Sequence, residues 1–242
     1  MSHNILLMTS AINVNKDMPF HHHIEKSFRL QQYIDALIFY ITQSNLEYII
    51  FCDWTNFDLD SNLWFIKELA YIYKKNIEFI TFQQDKELLK TKWKGYGENK
   101  IIEYALENSQ FSDKNKLFYK VTGRYIVKNI NTIISNEISK ENIFFKTSPL
   151  DNTNCNSAFF KCSVSFFQKK LLWSWNYVRD KEWYYLEHEY MTRLRWSNVN
   201  CFKQLPIFSW TAWWWWKLDL PRYVLIIKQF CNLLWLYKIS WK

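Results

Sequence analysis

Only three glycines occur in 242 residues, and no other feature constrains the fold as much. Tight β-hairpins and the corners of β-sandwiches need positive φ, which glycine adopts at the least steric cost. A chain this poor in glycine is ill suited to a many-turned all-β fold. Long helices and strands joined by crossovers remain open to it. The length suits one large domain, with or without a short appendage. Hydrophobic residues are 49% and charged residues 22% of the chain, a globular balance that excludes a disordered or collagen-like sequence.

Hydrophobic periodicity supplies the elements. Residues 5–8, 46–52, 77–82 and 117–121 are short apolar runs rich in β-branched and aromatic side chains, as expected of strands buried on both faces. Helical patterns separate them, over residues 23–42, 60–73 and 98–108. The first carries Phe28, Ile34, Leu37, Ile38 and Ile41 in an i, i+3, i+4 stripe. Such alternation predicts right-handed crossovers and a mainly parallel central sheet, hence a Rossmann-like α/β domain. Farther on, helices are expected at 129–139 and 182–195, and strands at 143–146 and 157–161. Residues 1–205 read as the domain and 206–242 as an aromatic, basic helical appendage. Seven of the 14 tryptophans fall in its last 33 residues, with five Lys/Arg against one Asp.

The net charge is +8, which suits a polyanionic partner. The five cysteines are odd in number and show no Cys-x-x-Cys spacing, so free thiols in a reducing compartment are expected. The amino end lacks the basic and long apolar regions of a signal peptide. No apolar stretch reaches 18 residues, the length of a spanning helix. The chain reads as cytoplasmic.

Ligands of parallel sheets bind outside the carboxyl ends of the strands. The residues expected there are Thr9 and Ser10 after the first strand and Asp53-Trp-Thr-Asn-Phe-Asp58 after the second. Trp93-Lys-Gly-Tyr-Gly-Glu98 follows the third, read as a loop opening a helix, and Lys120-Val-Thr-Gly-Arg-Tyr125 follows the fourth. All three glycines, Gly95, Gly97 and Gly123, lie in these last two segments. Scarce glycine at strand ends suggests either close backbone approach to a ligand or plain turns.

This order of elements resembles the GT-A glycosyltransferases of bacterial capsule and lipopolysaccharide synthesis, over residues 4–200. The Asp53–Asp58 turn looks like their acidic turn, and Lys94-Gly-Tyr-Gly-Glu98 with Lys120-Val-Thr-Gly-Arg124 is similar to segments of such transferases. The resemblance implies a GT-A fold and a nucleotide-sugar donor. It also implies donor-binding roles for Thr9, Ser10, Arg29, Asp53, Asp58, Lys94, Gly95, Gly97, Lys120, Thr122, Gly123 and Arg124. Most members end the fourth strand in Asp-x-Asp, which binds a divalent cation. Here Lys120 and Arg124 stand in that place and can balance a diphosphate directly. Metal-independent transfer is therefore expected, with no cofactor. Three consecutive histidines, His21 to His23, point in different directions and have no evident partner ligand, so no metal is assigned.

Inverting transfer needs a carboxylate base. The resemblance points to the amino end of a late helix, where Glu187 is the first choice, Glu189 the second and His188 a helper. Two residues apart, the two glutamates cannot share a helix face. In the appendage, Lys228, Gln229 and Asn232 fall on one side of a helix, with Ile227, Phe230 and Leu234 opposite. Tryptophan and flanking cations suit a headgroup layer. The expected partners are a glycan or polyprenyl-diphosphate-linked acceptor and the inner leaflet of the membrane. The appendage can alternatively pack on the domain or on a second copy. Two other functions remain open, a nucleic-acid-binding module and an inactive GT-A-like scaffold. Against the former, the positive charge is scattered and the aromatic residues mostly occupy apolar strand or helix positions, so no nucleic-acid partner is expected.

Overall fold

A computed structural model describes residues 4–14, 25–113, 116–209 and 222–239. In chain order the elements are β1 (Ile5–Ser10), α1 (Lys26–Gln43), β2 (Tyr48–Asp53), α2 (Leu59–Asn62), α3 (Trp64–Ile72), β3 (Asn76–Thr81), α4 (Lys86–Asn108), β4 (Leu117–Thr122), β5 (Ile126–Val127), α5 (Ile130–Asn136), β6 (Phe159–Ser163), α6 (Val164–Phe166), α7 (Leu186–Leu194), β7 (Phe208–Ser209) and α8 (Arg222–Leu233). The central sheet has the order β3-β2-β1-β4-β6. β1 to β4 are parallel, and β6 runs antiparallel to β4. The expected α/β class and mainly parallel sheet are thus present.

The alternation of side chains along β1 divides the core into two layers. Ile5 and Leu7 pack with Ile101, Ile102 and Ala105 of α4. Leu6 and Met8 pack on the other face with Tyr33, Leu37 and Tyr40 of α1 and Ile66 of α3. A strand covered on both faces needs apolar residues throughout, and every residue of β1 is buried. The chain moves outward from β1 to β2 and β3, then crosses back to β4 on the other side of β1. That reversal opens a crevice between the carboxyl ends of β1 and β4. Because β6 is antiparallel, its amino end comes to the same edge, where Phe159 pairs with Val121.

Three expectations are corrected. The segment read as a loop around Gly95 and Gly97 lies inside α4, which begins at Lys86 rather than Glu98. Gly95 makes room there: a Cβ on it would stand 2.9 Å from Val178 Cγ1 and 3.2 Å from Asp180 Oδ1. The late helix begins at Leu186. Ahead of it Arg179 and Tyr184 bridge in antiparallel fashion, closing a loop that holds Trp183 at φ 62°. Residues 143–146 form isolated bridges rather than a strand, Ile143 pairing with Lys161 and Asn200.

The described part of the C-terminal segment is joined to the domain. Tyr237 and Ile239 are buried, and the Lys146 amide donates to the Tyr237 carbonyl at 3.1 Å. Among the described residues no helix is long and apolar enough to cross a membrane.

Candidate functional site

The loops after β1 and β4 meet at one close contact. The Gly123 amide donates to the Thr9 carbonyl at 2.8 Å. A Cβ on Gly123 would lie 2.7 Å from that same oxygen and 3.2 Å from the Tyr33 ring. This glycine therefore serves the close packing of the two strand ends, and Arg124 follows it directly. Arg29, in the first turns of α1, approaches from the side of β1. Its Nη1 donates to the Ala11 carbonyl at 3.1 Å, and the side chain is buried. Burial and the neighbouring Arg124 charge lower its pKa, against the opposing pull of the Tyr33 hydroxyl and Asp53.

Arg124 Nη1 reaches Gln32 Oε1 at 3.3 Å. Its Nε is buried and has no hydrogen-bond partner among the described residues. Tyr33 fixes the floor by accepting from the Ala11 amide at 2.9 Å, and burial raises its pKa. Gln32 and Arg29 lie one turn apart on α1, so the Arg124 and Arg29 charges are neighbours that disfavour each other. An anion beside them would offset that cost.

Asp53, expected at the donor, is engaged within the fold. Its Oδ2 accepts from Ser10 Oγ and from the Ile12 amide, both at 2.9 Å. Its Oδ1 accepts from the Thr55 amide at 2.7 Å and Thr55 Oγ1 at 2.5 Å. The carboxylate is fully buried and knits the ends of β1 and β2 together. Ser10 also donates to the Cys52 carbonyl at 3.1 Å. Asp58 is exposed and caps α2, accepting from the Ser61 amide at 3.0 Å; the Ser61 hydroxyl and then its amide lower the pKa of this carboxyl.

On the α4 side of β4, a chain of polar contacts crosses from α4 to α7. Lys120 is fully buried and donates to Glu98 Oε1, to Thr122 Oγ1 at 3.0 Å and to the Ser157 carbonyl at 2.7 Å. Ser157 Oγ donates to Glu187 Oε1 at 2.6 Å. The Cys155 amide donates to the Glu187 carbonyl at 3.0 Å. One ammonium therefore lies between two carboxylates, Glu98 directly and Glu187 through Ser157. Buried Tyr190 lies close to both acids. Its pKa is raised well above the usual value, chiefly by burial and then by Glu98, with a smaller push from Glu187. With its three protons engaged, Lys120 organises these carboxylates.

The other expected residues lie elsewhere. Glu189 is buried against Arg193 Nε at 2.5 Å and the Tyr184 hydroxyl at 3.0 Å. His188 closes the amino end of α7, where its Nδ1 accepts from the Tyr185 amide at 3.0 Å. Gly97 lies within α4, and its carbonyl accepts from Gln84 Nε2 at 2.8 Å. The Lys94 side chain and His21 to His23 lie outside the described residues. Sequence reasoning missed Gln32, Tyr33, Glu98 and Ser157 as site residues. Glu98 closes the Lys94-Gly-Tyr-Gly-Glu98 segment, and that position was its signal; Ser157 carried none. Among the described residues no three His, Cys, Asp or Glu side chains converge as metal ligands would. No family model matches this chain, and no curated protein matches it.

Proposed function

We propose that this chain is a glycosyltransferase of GT-A type. It takes a sugar from a nucleotide donor and passes it to a surface-polysaccharide or lipid-linked glycan acceptor at the inner face of the membrane. The observation that carries the reading is the placement of two arginines after β1 and β4: Arg29 donates to the Ala11 carbonyl, and Arg124 reaches Gln32, one turn along α1 from Arg29. A departing nucleotide phosphate carries growing negative charge, and pre-positioned guanidinium groups stabilise it without rearrangement. Their forked donors fit phosphate oxygens in pairs. Glu187 is the base that takes the proton of the attacking hydroxyl. Ser157 holds its Oε1, and its Oε2 receives the proton while the acceptor oxygen bonds to the anomeric carbon and the bond to the phosphate breaks. Lys120 and Glu98 position this group and contact neither substrate.

Transfer is proposed to be metal-independent, the arginines taking the electrostatic role of a cation. Calorimetric titration with UDP, GDP, CMP and a short oligonucleotide, all in excess EDTA, tests the reading. One nucleotide is expected to bind, and Arg124→Ala is expected to weaken it by about tenfold or more, the loss of a charged hydrogen bond. Binding of the oligonucleotide alone, or binding of no nucleotide, overturns the reading. Sugar transfer that strictly requires Mn²⁺ or Mg²⁺ overturns its metal-independent part.

A further inference from the structure

Helix α8 is built inside out. Ile226, Ile227, Phe230 and Leu233 form one stripe at i, i+1, i+4 and i+7, which Leu234 and Trp235 extend. All six side chains are between 54% and 69% exposed. In an ordinary surface helix this stripe faces the core. Here the polar side does. Gln229 pairs twice with the Leu205 backbone, accepting from its amide and donating to its carbonyl, both at 3.1 Å. Asn232 is buried, donating to the carbonyls of Phe202 at 2.9 Å and Lys203 at 3.1 Å. Its Oδ1 accepts from Cys201 Sγ at 3.4 Å. Turning the apolar stripe inward would break all of these bonds and strand the amide of buried Asn232 and the carbonyl of buried Phe202, so the helix is locked with its apolar face outward.

Charge narrows what covers that face. From residue 222 to residue 239 the chain carries Arg222, Lys228 and Lys238 and no carboxylate. Lys238 sits over the Trp235 ring, 4.6 Å from its centre. A few residues before α8 the sequence holds four consecutive tryptophans, Trp213 to Trp216, followed by Lys217 and one carboxylate, Asp219. A second copy of this face would oppose cation to cation. An anionic bilayer offers hydrocarbon to the stripe, an interfacial layer to the tryptophans and negative headgroups to the cations.

We infer that α8 is an in-plane docking element for anionic phospholipid, inserting Ile226, Ile227, Phe230 and Leu233 beneath the headgroups while Gln229 and Asn232 fasten it to the domain. The inference does not depend on what the crevice binds, because docking is measured without donor or acceptor.

The test is flotation of the full chain with vesicles of phosphatidylcholine alone and of phosphatidylcholine mixed with phosphatidylglycerol. The chain is expected to float with the mixed vesicles and much less with the neutral ones. The triple variant Ile227→Ser, Phe230→Ser, Leu233→Ser changes only exposed positions, and its binding should fall by at least about tenfold from the apolar area withheld. Lys238→Glu should weaken binding to the mixed vesicles only, and it carries the test should the triple variant not fold by circular dichroism. The inference is overturned if the full chain floats with neither vesicle, or if the triple variant floats as well as the parent. It is equally overturned if, without lipid, the chain is a dimer that the triple variant converts to monomer, since a second copy then owns the face.

Discussion

Ser157 Oγ donates to Glu187 Oε1 at 2.6 Å, and the carbonyl of the same serine accepts from the buried Lys120 ammonium. One residue on the approach to β6 therefore couples the carboxylate at the start of α7 to the charge at the end of β4. The pairing exists because β6 is antiparallel and brings its amino end to the edge where the parallel strands terminate.

Glu187→Gln should lower sugar-transfer turnover by roughly 10²–10⁴-fold, the range of a lost general base. The fold and nucleotide affinity should be unchanged, because the amide oxygen still accepts from Ser157. Steady-state rates beside nucleotide titration check this. Near-normal turnover removes Glu187 from the chemistry.

Asp53→Asn should act on stability. The amide would set an NH₂ group against donors that now point at a carboxylate, whichever way it is turned. Losing such buried, charge-assisted bonds costs about 2–4 kcal/mol. For a chain of this size that lowers the melting temperature by roughly 5–15 °C. Calorimetry decides between this and the donor contact suggested by sequence, which predicts weaker nucleotide binding at an unchanged melting temperature.

How far the sequence could be read follows from the range of each interaction. The four parallel strands were legible because burial on both faces demands continuous apolar runs, and such runs are local. The start of α4 was not, because residues 86–97 are rich in lysine and carry two glycines. Their helix is stabilised by contacts with residues 178–186, far along the chain. Asp53 looked like a ligand-facing acid because two of its four near donors, the Ser10 hydroxyl and the Ile12 amide, arrive only through the β1–β2 pairing. For α8 the periodicity was visible. Which side turns inward depends on the backbone of residues 202–205, and no helical wheel contains that.

The glycines of α4 and of the β4 loop should respond differently to alanine. At Gly123 the new Cβ meets backbone oxygen at 2.7 Å, and neither strand can yield without disturbing the sheet. A loss of about 1–3 kcal/mol is expected, as in other overpacked sites. At Gly95 the new Cβ meets the buried side chains of Val178 at 2.9 Å, Asp180 at 3.2 Å and Leu186 at 3.3 Å, so alanine is costly there too. It also recovers up to about 1 kcal/mol of helix propensity, so the net loss should be smaller than at Gly123. Urea unfolding of the two variants checks the contrast; equal losses would contradict it.

Lys161 is fully buried on the α1 face of the sheet. Its ammonium donates to the Glu137 carbonyl at 2.7 Å and lies 5.4 Å from the centre of the Tyr119 ring. Burial lowers its pKa from the usual 10.5 to about 8, although the charge of Glu137 pulls the other way. Between those two values the unfolded chain holds a proton that the folded chain has released. Stability from this group therefore rises with pH across the window, by roughly 3 kcal/mol in all, and is flat below it. Buried Cys52 has a raised pKa and works in the opposite direction above its ordinary range, so the wild-type profile alone is ambiguous. The difference between wild type and Lys161→Met cancels that contribution. Urea denaturation from pH 7 to pH 10 should show wild type gaining on the variant above about pH 8. Parallel profiles would mean that Lys161 keeps an ordinary pKa despite its burial.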